Sequence, residues 1–198
     1  MGGGADSCLV VPNKNTWKEN FEYSLEFVER YKILLDLLPS AKQYKKIQSV
    51  LDIGCGKQYL RDVLEQQQIP IQKYVGIDLY PHKKDTIICD LNNERLPNVG
   101  SFDLVVCAGF FEYMYDIKGV LEQIFDLKPF YILCSYNFSN LSLVHNPIWV
   151  KDMVTQKEML DYFMEAGYNL FAYKTDENKK YLQTGYFLFA SRKVLEIS

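Results

Sequence analysis

The chain has 198 residues, 48% of them hydrophobic and 15% aromatic, with a formal net charge of −3. That length suits one domain with a sizeable core, and that composition excludes a largely disordered chain. The negative balance argues against a general nucleic-acid binder, and no apolar run approaches the roughly 18 to 20 residues that span a bilayer.

The opening MGGGAD has neither the basic flank nor the apolar core of a signal peptide. Residues 1–14 read as a flexible leader and 15–198 as a single domain, with 15–47 as its helical N-terminal cover. The five cysteines, Cys8, Cys55, Cys89, Cys107 and Cys134, make no C-x-x-C pair. Buried, reduced thiols are expected, with no metal site and a cytoplasmic location.

Asn15 or Thr16 can cap a first helix, along which Phe21, Leu25, Val28, Tyr31, Leu34, Leu35 and Leu38 recur at helical spacing until Pro39. Packing is its plain role, and Trp17, Phe21 and Tyr23 are candidates for a lid over a ligand. Residues 42–46 read as solvated basic surface. The stretch VLDIGCG, residues 50–56, is a short buried strand running into a glycine turn, and a helix over 58–67 follows with Tyr59, Leu60, Val63 and Leu64 on one face. Open α/β sheets build a nucleotide-binding edge from such a strand, Gly-x-Gly turn and helix.

Asp52, two residues before Gly54, bears on the ligand. In the dinucleotide fingerprint the turn meets a pyrophosphate and a third glycine follows three residues after the second; here that position is Tyr59. A carboxylate at the strand end repels a diphosphate and favours a positively charged ligand. S-adenosylmethionine, with a sulfonium, an ammonium and no phosphate, meets that requirement.

A second strand over 74–77 ends at Asp78, about 20 residues after the turn, the offset at which an acidic side chain reaches a ribose. A third over 86–89 ends at Asp90, placed to accept from an adenine amine. The near-continuous apolar run 102–109 suits a parallel strand covered on both faces. Glu112 and Tyr113 leave its carboxyl end, a helix spans 117–127, and a fifth strand covers 130–135. Residues 136–154, with Pro147 and Trp149, read as an irregular substrate-side segment. Thr155 and Glu158 form a capping box for a helix ending at Ala166-Gly167. Strands over 169–174 and 181–191, joined by a hydrophilic link, suit an antiparallel hairpin. The alternation predicts a doubly wound, mostly parallel seven-stranded α/β sheet whose informative strand ends converge on one rim.

The assembled pattern resembles the class I S-adenosylmethionine-dependent methyltransferases over roughly residues 48 to 191. VLDIGCG, YVGIDL, the end of TIICDL, FDLVVCAGFFEY, YFMEAGY and TGYFLFASRK carry the resemblance. It implies a Rossmann-like fold with S-adenosyl-L-methionine as cofactor. By position it assigns Asp52, Gly54 and Gly56 to the methionyl part, Asp78 with Leu79 to the ribose, and Asp90 with Leu91 to the adenine, with Ala108 and Gly109 beneath. Two departures stand out. Gln58 replaces the family's usual third glycine, making the turn bulkier, and Glu112-Tyr113 replaces the Glu-His of many small-molecule members. The SYN stretch at 135–137 is similar to small methyltransferases of bacterial polysaccharide-synthesis gene sets, which tilts the acceptor toward a sugar or polysaccharide-precursor hydroxyl.

A hydroxyl acceptor needs its proton removed. The candidates near the rim are Glu112, Tyr113, Tyr136 and His145. The NPIW run at 146–149 is superficially similar to a nucleic-acid amino-methylating motif but follows the wrong strand. The leading expectation is a methyltransferase acting on a small polar acceptor, without nucleic acid or membrane insertion. A non-catalytic S-adenosylmethionine-binding or regulatory protein of the same fold is the alternative. A nicotinamide oxidoreductase is disfavoured by Asp52 and Tyr59.

Overall fold

The computed structural model describes residues 25–38, 47–138, 149–150, 154–178 and 182–192. Within them, helix α1 (Leu25–Asp36) precedes strand β1 (Ser49–Ile53), helix α2 (Tyr59–Gln66), and strands β2 (Lys73–Asp78), β3 (Ile87–Ile88) and β4 (Leu104–Ala108). A 3-10 turn (Phe111–Tyr113), helix α3 (Ile117–Asp126), β5 (Tyr131–Asn137), α4 (Gln156–Glu165), β6 (Tyr168–Asn178) and β7 (Leu182–Ser191) complete them. The sheet has seven strands in the order β3-β2-β1-β4-β5-β7-β6. Strands β1 to β5 pair in parallel, and β7 runs antiparallel to both β5 and β6.

The sheet separates two cores because successive side chains on a strand point to opposite faces. Leu51, Ile53, Val105, Cys107, Ile132 and Phe189 meet α3 and α4 on one face. Val50, Leu104, Val106, Leu133 and Leu188 meet α1 and α2 on the other. Every residue of β4 and β5 is buried, as their near-continuous apolar runs require. Asp103 ties the starts of β1 and β4 together. Its Oδ2 accepts from the Gln48 and Ser49 backbones and the Ser49 hydroxyl at 2.8 to 2.9 Å.

Three elements differ from expectation. Strand β3 has two residues instead of four, because it is an edge strand bound to β2 only at Ile77–Ile87 and Asp78–Ile88. Strand β5 continues to Asn137 and β6 to Asn178, so residues 175–178, read as link, are strand. Both extensions pair with β7, and backbone pairing asks no apolar side chain of them. The capping box forms as read: Glu158 N donates to Thr155 Oγ1 and Thr155 N to Glu158 Oε2. Strand order reverses between β1 and β4, which opens a crevice at their carboxyl ends.

Candidate active site

A cleft of about 890 Å³, its solvent-filled mouth included, opens at that crevice. Gly54, Gly56, Asp78, Leu79, Asp90, Leu91, Ala108 and Gly109, all expected at a cofactor, line it. Asp52 does not.

The glycine turn is folded back onto β2. Gly54 N and Cys55 N both donate to Ile77 O, at 2.8 and 3.1 Å, and Gly56 N donates to Asp78 Oδ2 at 2.8 Å. Gly54 holds a φ of 74°, and a β-carbon there would stand 2.9 Å from Phe110 Cδ2, so this position admits only glycine without rearrangement. Asp78 Oδ1 accepts from Tyr80 N at 3.1 Å. Each Asp78 oxygen thus holds a backbone bond, and the carboxylate lines the cleft with acceptor capacity left for a vicinal diol. Burial pushes its carboxyl above the usual range, and the Gly56 and Tyr80 N–H groups oppose that rise. Asp90 accepts from Asn92 N and Asn93 Nδ2. Asn92, unnoticed in the sequence, lines the cleft and joins two of its walls, donating to Tyr113 O at 2.9 Å and accepting from Tyr115 N at 3.0 Å.

Asp52 lies one layer behind the turn, fully buried, on the α1 and α2 face of the sheet. Its Oδ2 accepts from the Tyr74 hydroxyl at 2.6 Å, and its Oδ1 has no hydrogen-bond partner among the described residues. Burial pushes this carboxyl up to about 7, with Asp78 adding to the rise and Tyr74 opposing it. Near neutral pH the ligand-free chain therefore carries only part of a charge there, and a positively charged ligand would draw out the rest.

Gln58 does not crowd the cleft. Its backbone is left-handed, at φ 60°, and its Nε2 donates to Asp85 Oδ1 and Thr86 Oγ1, both at 3.1 Å. The amide passes over Gly76, where a β-carbon would stand 3.1 Å from Nε2 and 2.8 Å from Cys55 Sγ. The bulk missing at one strand glycine makes room for the bulk gained in the turn. A glycine inside a strand is a sign of such close approach, so YVGIDL carried the hint.

On the other side, Glu112 is buried in the 3-10 turn after β4, next to the cleft-lining Tyr113 and not itself on the lining. Its Oε1 accepts from Asn137 N at 3.0 Å, and its Oε2 has no partner among the described residues. Burial raises the Glu112 carboxyl, and the Arg30 charge works against that rise. Tyr113 lines the cleft, with a hydroxyl pushed up to about 12 by burial. Gly109 N donates to Ser135 Oγ at 2.8 Å, linking the ends of β4 and β5. From α1, Phe27 and Tyr31 line the cleft; helical spacing placed Tyr31 on the packing face and did not single out Phe27. His145, Trp17, Phe21 and Tyr23 lie outside the described residues. Among those described, no helix is long and apolar enough to cross a membrane.

The cleft suits an adenosine with a cationic tail. It offers backbone at Gly54 and Gly56, a half-satisfied carboxylate for a diol, a second carboxylate at Asp90, and a buried acid beneath the turn. No curated protein matches the chain. Among solved structures it is similar to magnesium protoporphyrin IX methyltransferase from Synechocystis PCC 6803, solved with bound SAH: 11% identity, TM-score 0.63, covering 89% of this chain and 92% of that one. It is also similar to the cyclase SpnF (9%, 0.61, 83% and 80%). A third is 1,6-didemethyltoxoflavin-N1-methyltransferase from Burkholderia thailandensis (14%, 0.55, 84% and 85%). At such identities the likeness speaks for the fold, which serves more than one reaction. The family itself comes from the sequence: a model described as a methyltransferase domain matches residues 21–186. With most of its length inside that model, the chain belongs to the class I S-adenosylmethionine-dependent methyltransferases.

Proposed function

We propose that the chain methylates a hydroxyl of a small polar acceptor, a sugar or polysaccharide precursor, with Glu112 receiving the acceptor's proton. The observation that carries this reading is the unpartnered, buried Oε2 of Glu112 at the end of β4. The second oxygen of the same carboxylate is held by Asn137 N, which fixes the orientation of the group. Burial raises its proton affinity, which suits a base working near neutral pH better than an ordinary carboxylate does. The neighbouring strand end is polar, with Ser135 and Asn137 buried, in keeping with a hydroxylated acceptor.

In this assignment Asp78 and Leu79 meet the ribose, Asp90 and Leu91 the adenine, and Gly54, Gly56, Ala108 and Gly109 admit the cofactor close to the backbone. Asp52 acts from behind the turn through its charge. S-adenosylmethionine supplies a methyl group already activated by its sulfonium. The chain's own task is to hold the acceptor in line, worth several kcal/mol, and to take up one proton. Tyr113 shapes the wall beside Glu112, and His145 is the second candidate base. One domain over 15–198 accords with the reach of the family match. A reducing, cytoplasmic setting accords with the free thiols of Cys55, Cys89, Cys107 and Cys134.

The test is incubation with S-adenosylmethionine and a panel of sugars, sugar phosphates, amines and carbon acids, followed by detection of S-adenosylhomocysteine and the methylated product. Methyl ether formation is expected. Product formed only on nitrogen or carbon would sink the hydroxyl assignment. Binding without turnover on any acceptor would favour a regulatory protein.

A further inference from the structure

The turn that bears Glu112 is three residues long and closes with two backbone bonds, Tyr113 N to Phe110 O at 3.2 Å and Met114 N to Phe111 O at 3.1 Å. Hydrogen bonds in 3-10 turns are poorly aligned, so so short a turn depends on bonds from outside to keep its place. From one side, Val150 N donates to Glu112 O at 2.9 Å. From the other, Asn92 supplies two: its Nδ2 donates to Tyr113 O at 2.9 Å, and its Oδ1 accepts from Tyr115 N at 3.0 Å. One side-chain amide thus grips the backbone on both sides of Met114, using a donor and an acceptor that only Asn or Gln carries in one group.

We propose that Asn92 is a positioning residue for methyl transfer, carrying the occupation of Asp90 by the adenine across the cleft to the turn that bears Glu112. The inference rests on assigning the cleft to S-adenosylmethionine and the acceptor's proton to Glu112. Asn92 follows Asp90 by two residues, and both line the cleft. Its backbone N–H donates to Asp90 Oδ1 at 3.2 Å. Asp90 Oδ2 accepts from Asn93 Nδ2 at 2.9 Å. The bonds therefore run from Asp90 through Asn92 to the turn, and from Glu112 Oε1 on to Asn137 N at 3.0 Å. Within that run the bond at Asp90 is the longest, and N–H to oxygen bonds are most often near 2.9 to 3.0 Å. An amine donating to Asp90 fixes the carboxylate and lets this bond shorten. The side chain of Asn92 moves with its backbone and draws on Tyr113 and Tyr115, the residues just beyond Glu112. Cofactor binding then sets the base before the acceptor arrives. Coupling of this kind is reciprocal, so a turn held in place by the acceptor tightens the cofactor's hold in return.

The experiment is a nitrogen–proton NMR titration of the full chain with adenosine, which loads the Asp90 end of the cleft without the amino-acid tail. The reporter is the backbone amide of Asn137, because it donates to Glu112 Oε1 on the far side of the turn. In the wild type, adenosine is expected to shift that signal. Asn92→Ala should abolish the shift while leaving adenosine's Kd within about twofold, and Asn92→Asp, which keeps only the acceptor for Tyr115 N, should retain part of it. Asn93→Ala removes the other bond to Asp90 without touching the turn, and the shift should survive it. With an acceptor that the wild type methylates, Asn92→Ala should lower kcat about 10- to 100-fold with the KM for S-adenosylmethionine within about twofold. A shift that persists in Asn92→Ala would overturn the proposal, since the signal would then travel by another route. A loss of adenosine affinity of about 10-fold or more in Asn92→Ala would also overturn it and make Asn92 an adenine contact. If the wild type binds neither adenosine nor S-adenosylhomocysteine, the cofactor assignment itself fails. If Glu112→Gln keeps full turnover, the base assignment fails, and both results are separable from a failure at Asn92.

Discussion

At the corner between β1 and β2, Asp78 accepts a backbone N–H on each carboxylate oxygen, from Gly56 and from Tyr80. At the corner between β4 and β5, Glu112 accepts one, from Asn137, and its other oxygen is buried without a partner among the described residues. Both corners follow a strand end, both hold a glycine with positive φ, and both carry an acid, half-buried at Asp78 and buried at Glu112. Leaving a buried acceptor unpaired costs about 1–3 kcal/mol. A carboxylate held by a backbone bond on each oxygen is rigid and, with acceptor capacity left on both, suited to holding a ligand. A half-bonded one stores that cost and is suited to taking a proton.

If that contrast is right, substitutions at the two corners should separate turnover from binding. The largest effect is expected from Glu112→Gln, which keeps the size of the side chain and removes the base. Turnover should fall about 100- to 1,000-fold, or roughly 3–4 kcal/mol, with S-adenosylhomocysteine affinity unchanged by calorimetry. Because burial raises the Glu112 carboxyl, wild-type kcat should climb with pH as that group ionises, and the climb should be missing in the variant. Loss of affinity in place of turnover would erase the distinction between the corners.

Asp52→Asn probes the acid beneath the first corner. Its folded pKa of about 7 lies above the unfolded value, so between about pH 4 and 7 the folded chain retains a proton that the unfolded chain has released. Wild-type stability should therefore fall as pH rises through that window and level off above it. The variant should flatten that dependence, gaining on the order of 2–4 kcal/mol on the wild type at pH 8 relative to pH 4. Urea midpoints at the two pH values give the answer, and parallel curves for the two proteins would contradict it.

Asp78→Ala should weaken S-adenosylhomocysteine by about 1.5–3 kcal/mol while the saturated rate changes little. Unchanged affinity would remove Asp78 from the site. The smallest effect belongs to Thr155→Ala, remote from both corners. Loss of the capping box should cost about 1 kcal/mol in thermal or urea stability and leave binding untouched. It sets the baseline against which the other three are read.

The two corners were not equally legible in the residue order. VLDIGCG and YVGIDL announced the first, because a glycine turn and a strand-end acid are local features with a fixed offset. Gly54, Gly56, Asp78 and Asp90 all line the cleft. Asp52 stands in the same motif and lies behind it, since alternation along β1 turns it to the face of α1 and α2. Gln58 looked like an obstruction at a glycine position, but it engages Asp85 and Thr86, 27 and 28 residues onward. Asn92 escaped notice because its importance lies in reaching Tyr113 and Tyr115. Arg30 was one charge on an amphipathic helix until the fold set it against Gly109.

Residue order alone was sufficient for strand–helix alternation, the glycine turn, the acid at the end of β2 and the capping box at Thr155. Each of these arises from side-chain periodicity, allowed backbone angles or bonds between near neighbours. Packing in three dimensions was needed to show which carboxylate oxygens lack a partner, which acid hides behind the cleft and which cation stands beside it. Those properties depend on burial and on groups distant in the chain, and water satisfies the same atoms until the sheet closes over them.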